Sequence, residues 1–414
     1  LGLTYFNTTS KPKSLYHFQI AERGNYPSEE LDYYLGRAYQ YNHRFDDAIA
    51  YYQKYDAKLD LSDDLDRSRH NEVSRYLENC AVGKALLPDS ILLKIENAGP
   101  QVNSVYPDYV PVVSSDESMI LFTSRRSNTT GGKLNTDGQY FEDIYLSNKE
   151  KDGSWSKPIQ LEKPLNTKDH DACIGLSADG SLLFVYKDTG GGDIYVSEIS
   201  GKNTKKWSKP ERLVGEVNTD YWEGSASLSH DNKMLYFSSD QEGGYGGSDI
   251  YVSKVRPDGT WGTPVNLGPI INSPYDEDAT QIHSDGKTLF FSSRGHDGMG
   301  GYDIFSTVKD PATGQWSKPR NIGYPVNSAN EDIYFSLTSD GAKGYFSSQR
   351  YDSYGEKDIY VMHRPLSSPT LFLFKGTVRD KETLEPMAAT ITLTNKQTNQ
   401  VDTVVTSNIL TGRY

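Results

Sequence analysis

Between residues 272 and 322 the chain alternates short apolar, β-prone runs with turns rich in Asp and Gly. Residues 279–283, 287–293, 302–308 and 316–322 each read as a strand, and Ser284-Asp285-Gly286 punctuates the first pair. Asp-Gly and Gly-Gly between such runs are hairpin signals, because Gly accepts positive φ without a steric penalty. The stretch therefore predicts a four-stranded antiparallel meander.

The same pattern recurs along most of the chain. An opening Asn stands at Asn103, Asn166, Asn218, Asn272 and Asn327, with spacings of 63, 52, 54 and 55 residues. An Asp-Ile-aromatic triplet follows in every unit, at Asp143, Asp193, Asp249, Asp303 and Asp358. Trp recurs at Trp155, Trp207, Trp261 and Trp316, three times ahead of Ser-Lys-Pro. A four-stranded unit repeated at this interval predicts a β-propeller. Runs such as Leu289-Phe290-Phe291 and Ile250-Tyr251-Val252 are apolar on both faces, which suits sheets packed on both sides. The fifth unit has no Trp-Ser-Lys-Pro strand of its own after Tyr360. The segment from Asn97 to Ser104 parallels that from Asn266 to Ser273, so residues 90–97 are expected to supply the missing outer strand. That strand would close a ring of five blades and remove its sheet edges.

Residues 1–88 read as helical, with amphipathic segments at 28–42 and 45–58 and a longer helix over 65–87 that Pro88 ends. Leu35-Gly36, Tyr39, Ala48 and Tyr52 fall at the small and large packing positions of a tetratricopeptide repeat, which this part resembles over about one repeat. Asp32 and Asp60 depart from the motif's usual Trp and Pro. The resemblance implies a partner-binding concave face on Tyr33, Arg37, Gln40 and Tyr41; the alternative is an ordinary solvated helix face. Residues 89–366 are expected to form the propeller. Residues 126–142 make a polar, Gly-rich loop, expected to be exposed and mobile. From residue 367 the pattern changes: a strand signal over 371–380, alternation over 390–394, and a closing Thr411-Gly412-Arg413-Tyr414. This resembles the start of a carboxypeptidase-regulatory-like β-sandwich, expected to be incomplete here. The predicted class is thus mainly β: a helical domain, a five-bladed propeller and a partial sandwich.

Composition narrows the functional classes. A net charge of −13 disfavours nucleic acid, whose phosphates need a basic face. Apolar content is low at 36%, and 30 Tyr and 14 Phe supply core volume instead. No apolar run is long enough to span a bilayer. The opening Leu1-Gly2-Leu3 shows no secretory leader, and the missing initiator Met fits a leader already removed. Cys80 and Cys173 fall in different expected domains and read as buried and unpaired.

The candidate chemistry is sparse. Five residues beyond each opening Asn stands an acid: Asp108, Asp171, Glu223, Glu277 and Asp332. At the start of each innermost strand, these could form a carboxylate ring at one channel mouth, able to hold Ca²⁺ or a basic peptide. Alternatively, each accepts backbone N–H bonds from its own turn. The Asp of each Asp-Ile-aromatic triplet reads as structural on the same grounds. Ser177-Ala178-Asp179-Gly180 and Ser284-Asp285-Gly286 resemble the Asp-box turns of sialidases, which are structural there, but no repeated Arg cluster accompanies them. No metal-spaced His pair and no nucleophile elbow occurs. On this evidence a non-enzymatic chain without a cofactor is expected.

The turns Ser177-Ala178-Asp179-Gly180 and Ser284-Asp285-Gly286-Lys287, with their Asp-Ile-Tyr strands, resemble the TolB-like propeller family. The order of helical repeat, propeller and regulatory-like sandwich is similar to Bacteroidota envelope proteins of the OmpA family, which include the PorE-like component of type IX secretion. The resemblance implies a periplasmic, outer-membrane-associated scaffold with envelope or secretion-system proteins as partners. Peptidoglycan binding would belong to an OmpA-like domain not present in these 414 residues. The rival is a carbohydrate-binding or glycoside-hydrolase propeller, toward which Tyr221-Trp222-Glu223 points.

Overall fold

A computed structural model describes residues 1–8, 11–88, 93–200, 206–364, 374–394, 400–409 and 411–414. Five antiparallel sheets form the propeller, and each follows the predicted meander. The innermost strands are Asp108–Val113, Asp171–Leu176, Glu223–Leu228, Glu277–Ile282 and Asp332–Leu337. In the fifth blade the order runs from Asp332–Leu337 through Lys343–Ser348 and Asp358–His363 to Lys94–Asn97. The outer strand of the last blade therefore comes from before the first, with Asn97 opposite Tyr360. Residues 90–92 of the expected strand lie outside the described residues. Outer strands are shorter than expected: the ladder that pairs with Asp303–Val308 is only Arg320–Asn321, with Trp316 making an isolated bridge to Lys309.

Every innermost strand carries a register shift two or three residues from its start. At that point Val110, Ala279 and Tyr334 adopt φ of 52°, 56° and 61°. Such a bulge bends the strand and re-aims its side chains. In three blades the aromatic of the second strand stacks on that of the third, as Phe122 does on Tyr145 at 5.8 Å, and in the fifth Phe346 meets Tyr360 tilted at 6.0 Å. These contacts make each of these four blades a buried aromatic slab.

The opening Asn joins one blade to the next. Asn166 Oδ1 accepts from Ile144 N at 2.8 Å, and its Nδ2 donates back to Ile144 O at 3.0 Å. Asn218 does the same to Ile194, Asn272 to Ile250, and Asn327 to Ile304. Asn103 clasps Ile359, 256 residues away, with both bonds at 2.8 Å, and so closes the ring. An amide is the side chain that can satisfy a backbone donor and acceptor together.

The helical part contains two helices that the hydrophobic pattern did not predict, Gly2–Phe6 and Ser14–Arg23. The expected ones appear as Leu31–Tyr41, Phe45–Asp56 and Asp64–Leu86. Gly36 lies against the ring of Tyr52, where an added Cβ would meet ring atoms at 2.6 Å. Asp32 is buried and takes Lys54 and Lys58 as partners. This layer docks on the fourth blade, whose turn inserts Met299 into the helical core with no exposure to solvent. Gln40 Nε2 donates to Met299 O at 3.0 Å, and Asn79 Nδ2 to Gly300 O at 2.7 Å. Arg75 donates to the carbonyls of Arg294 and His296, both at 2.6 Å.

The Gly-rich loop over 126–142, expected to be mobile, is tied down. Thr130 N donates to Asp143, Asn128 meets Tyr145 and Gln160, and Arg125 pairs with Asp137. Beyond the propeller, Thr390–Thr394 pairs with Val401–Thr406, and Thr377 bridges Arg413. Part of the strand signal at 371–380 falls on 371–373, outside the described residues.

Two outcomes follow from these joints. Asn103→Ala strands the buried N–H of Ile359, while Ile359 O keeps its bond from Ala98 N at 2.9 Å. The loss should be about 1–3 kcal/mol, read as a lower melting temperature and faster amide exchange at Ile359. An unchanged melting curve would make the clasp idle. Met299→Ala should weaken docking by about 2–5 kcal/mol. Hydrogen exchange should then rise in Leu31–Tyr41 and Phe45–Asp56 and stay constant in the blades; uniform change would contradict a localised anchor.

Candidate functional site

The five acids are fully buried, and each is held by its own turn. Asp108 accepts from Ser104 N and Oγ at 2.6 and 2.7 Å, and from Arg126 at 2.8 Å. Asp332 repeats this with Ser328, Ser348 and Arg350. Asp171 has Thr167 and Lys187. Glu223 and Glu277 have no cation and take hydroxyls instead: Thr219 and Ser239 for the former, Ser273 and Ser293 for the latter. Asp332 keeps both equivalent hydroxyls and adds a cation, so the two Glu differ in having hydroxyl and backbone partners alone. The oxygens that Ca²⁺ or a basic peptide would require are therefore already bonded. Among the described residues no group of three or more His, Cys, Asp or Glu is placed to hold a metal. Burial pushes the Glu277 carboxyl up to about 7, only partly offset by the Ser273 and Ser293 bonds. Both thiols are buried and free, and burial pushes each up to about 12.

The four residues expected on a concave helical face are divided by the docking. Gln40 is buried against the fourth blade, and Tyr33 donates to Glu72 at 3.1 Å. Arg37 and Tyr41 border a cleft of about 600 Å³ between the helices and the loops of blades four and five. Its propeller side is Tyr275, Arg294, Asn330 and Glu331; its helical side adds Lys11, Arg75 and Asn79. The Arg37 guanidinium lies over Tyr41 and Tyr76, at 4.8 and 4.0 Å from their ring centres. Arg37 Nε, Arg75 Nε, Asn79 Oδ1 and Asn330 Oδ1 are buried atoms without a hydrogen-bond partner. Spacing within one helix could indicate Arg37 and Tyr41, but Arg75 and Asn79 join them only through the fold.

A second cluster lies where the innermost strands begin, beside the channel. Glu142 accepts from Tyr109, pairs with His170 at 2.8 Å and meets Arg125 at 3.4 Å. Burial would raise the Glu142 carboxyl, but His170, Arg125 and Tyr109 together hold it below its ordinary value. Tyr109 stacks on Tyr334, which lines the channel. Glu331 is likewise held low, with burial outweighed by Lys357 and Arg294. In the sequence Glu142 and His170 precede the Asp positions of the repeat, but no spacing rule sets them apart. Of the Tyr221-Trp222-Glu223 run, Glu223 is consumed by its turn, and Trp222 lies over Gly224.

No family model and no curated protein sequence matches the chain. Among solved structures it is similar to a putative TolB from Agrobacterium tumefaciens, at 16% identity and a TM-score of 0.39, covering 66% of this chain and 98% of that one. TolB from Acinetobacter baumannii matches at 17% identity and a TM-score of 0.34, over 63% of this chain and 55% of that one; the chain thus spans about half of that relative. An α-L-arabinofuranosidase from Lactobacillus brevis matches at 13% identity and a TM-score of 0.42, over 67% and 93%. An oligogalacturonate lyase and a periplasmic gluconolactonase of Pseudomonas aeruginosa also match. The expectation of a non-enzymatic chain is corrected by these matches: propellers similar to this one include enzymes, so the absence of a familiar motif does not exclude enzymatic activity. No helix of the described residues is long and apolar enough to cross a membrane.

The raised Glu277 carboxyl has a definite sign in stability. Its folded value of about 7 exceeds its ordinary 4.5, so the folded chain holds the proton more tightly. Its contribution is full below about pH 4.5 and is lost as pH rises toward 7, by up to ~3 kcal/mol. Glu223, also raised by burial, acts in the same direction. Melting temperatures of Glu277→Gln across pH 4.5–8 should fall less steeply than those of the parent. Parallel curves would mean that Glu277 stays ionised in the fold.

Proposed function

We propose that the chain is the protein-holding body of a periplasmic scaffold associated with the outer membrane. In this reading it keeps secretion or gliding machinery against the cell wall through protein contacts, and a further domain outside these residues binds peptidoglycan. The resemblance of the helical part and the propeller to OmpA-family envelope proteins supplies the cellular setting. The carrying observation is the junction. A helical layer is fixed to a propeller through Met299, Gln40, Asn79 and Arg75, and an open polar cleft remains between them. Such a joined body offers a partner a preorganised surface with little ordering cost.

A second reading, a carbohydrate-binding or glycoside-hydrolysing propeller, is favoured by the Tyr109, Glu142, His170 and Arg125 cluster beside the channel. Here an ionised carboxylate stands next to aromatic and cationic groups, the furniture of a sugar site. A glycan array with the purified chain separates the two readings: glycan binding lost in Glu142→Gln would favour the second.

The scaffold reading is tested in living cells with a photo-crosslinking residue at Asn71 in the cleft, or at Tyr351, which is 82% exposed. The chain should fractionate with the outer membrane and cross-link discrete envelope proteins. A cytosolic chain, or one that cross-links nothing from either position, would overturn it.

A further inference from the structure

We infer that the cleft between the helical layer and blades four and five receives an acidic peptide segment of a partner protein. This rests on the scaffold reading and specifies the chemistry of one of its contacts. The first observation is charge. Among the described residues Arg37 is bonded to the neutral oxygens of Gln40 and Tyr41, and Lys11 to Gln349; neither cation forms an ion pair, and Lys11 acts on Glu331 only at longer range. Of the acids at the cleft, Glu72 receives the hydroxyls of Tyr33 and Tyr76, and Glu331 is paired with Arg294 and Lys357. A cationic spot thus stands open in a chain whose net charge is −13. A half-buried guanidinium without a counter-charge is a site for a carboxylate.

The second observation is the set of unpartnered atoms. Arg37 Nε and Arg75 Nε are donors, and Asn79 Oδ1 and Asn330 Oδ1 are acceptors. Asn79 is only 1% exposed, so its free oxygen costs stability unless something donates to it. An inorganic anion would satisfy the two donors and leave both acceptors bare. A peptide carries both complements: its carbonyls suit Arg75, its N–H groups suit Asn79 and Asn330, and an Asp or Glu carboxylate suits Arg37 and Lys11. Tyr41 and Tyr275 offer rings for the neighbouring side chains, and about 600 Å³ accommodates a few residues of extended chain.

The test uses the full chain and fluorescent octapeptide libraries that differ in Asp and Glu content, with neutral and basic libraries and galacturonate oligomers as further arms. Acidic peptides should bind, and binding should weaken with salt. Arg37→Gln and Lys11→Glu should each weaken the tightest acidic peptide by about tenfold or more, as expected for losing one charge-assisted contact of about 1.5–3 kcal/mol. Because Arg37 stacks on two rings, its variant could lose the fold; Lys11→Glu, whose contacts among the described residues are Gln349 and the ring of Tyr41, keeps the result readable. Equal binding of neutral or basic peptides, preference for the galacturonate arm, or no binding to any library would each overturn the inference; with no binding, ordered water would fill the cleft. Envelope cross-links that persist in both variants would overturn this inference alone. Acidic peptide binding by a chain found in the cytosol would overturn the scaffold reading alone.

Discussion

The amide of one asparagine per blade is the constraint on which the ring depends. Each clasps the backbone N–H and C=O of the Ile in the preceding blade's third strand, and both groups lie in a buried seam. Asp could accept but not donate there, and Leu could do neither. The clasp fixes how far each blade is turned from its neighbour, because an amide has one orientation that meets both groups. It also places the following Ser or Thr so that its N–H and hydroxyl meet the acid four residues on. The opening Asn and the buried acid are therefore one device, repeated around the ring.

This explains what was legible in the sequence and what was not. The recurrence of Asn, Asp-Ile-aromatic and Trp was enough to count blades and to find the strand that closes the fifth. The reason for the recurrence was hidden, since the Asn bonds the Ile of another blade. A signal existed: Asn166, Asn218, Asn272 and Asn327 follow Ile144, Ile194, Ile250 and Ile304 by 22, 24, 22 and 23 residues, and a near-constant offset between two motifs implies contact. The first two helices escaped because they are short, 5 and 10 residues, and packing rather than pattern holds them. Phe6 and Phe18 meet Tyr34 edge-on and stacked, at 5.3 and 5.5 Å.

The docking of the helices was beyond any local pattern. Met299 occupies the turn position that is Tyr245 in the third blade and Tyr354 in the fifth, and each of the three donates its N–H to the triplet Asp. In those blades the side chain is half exposed; in the fourth it is a buried knob in another layer. Backbone geometry is thus kept while one side chain is reassigned. The same docking turned Gln40 from an expected contact for partners into a bond with Met299 O. It also left Arg37 and Asn79 with atoms that nothing among the described residues satisfies.

A division of labour follows. The opening Asn and the acid five residues on are satisfied within the ring in every blade, even where the details vary, whereas among the described residues the triplet Asp keeps an unpartnered buried oxygen at Asp143 and Asp303. Asp108 and Asp332 are matched by Arg126 and Arg350, Asp171 by Lys187, and Glu223 and Glu277 by hydroxyls. Three different solutions at one repeat position indicate that the requirement there is a bonded, buried acid rather than a particular electrostatic field. Sites able to act on something else must be sought where the repeat breaks. It breaks at Glu142 with His170 beside the channel, and at the cleft, where residues of two layers bond one another only in part and leave atoms of Arg37, Arg75, Asn79 and Asn330 unpartnered among the described residues. Unpaired buried groups persist in a folded protein only if the rest of the structure over-determines them, and here the clasped ring and the Met299 knob supply that excess.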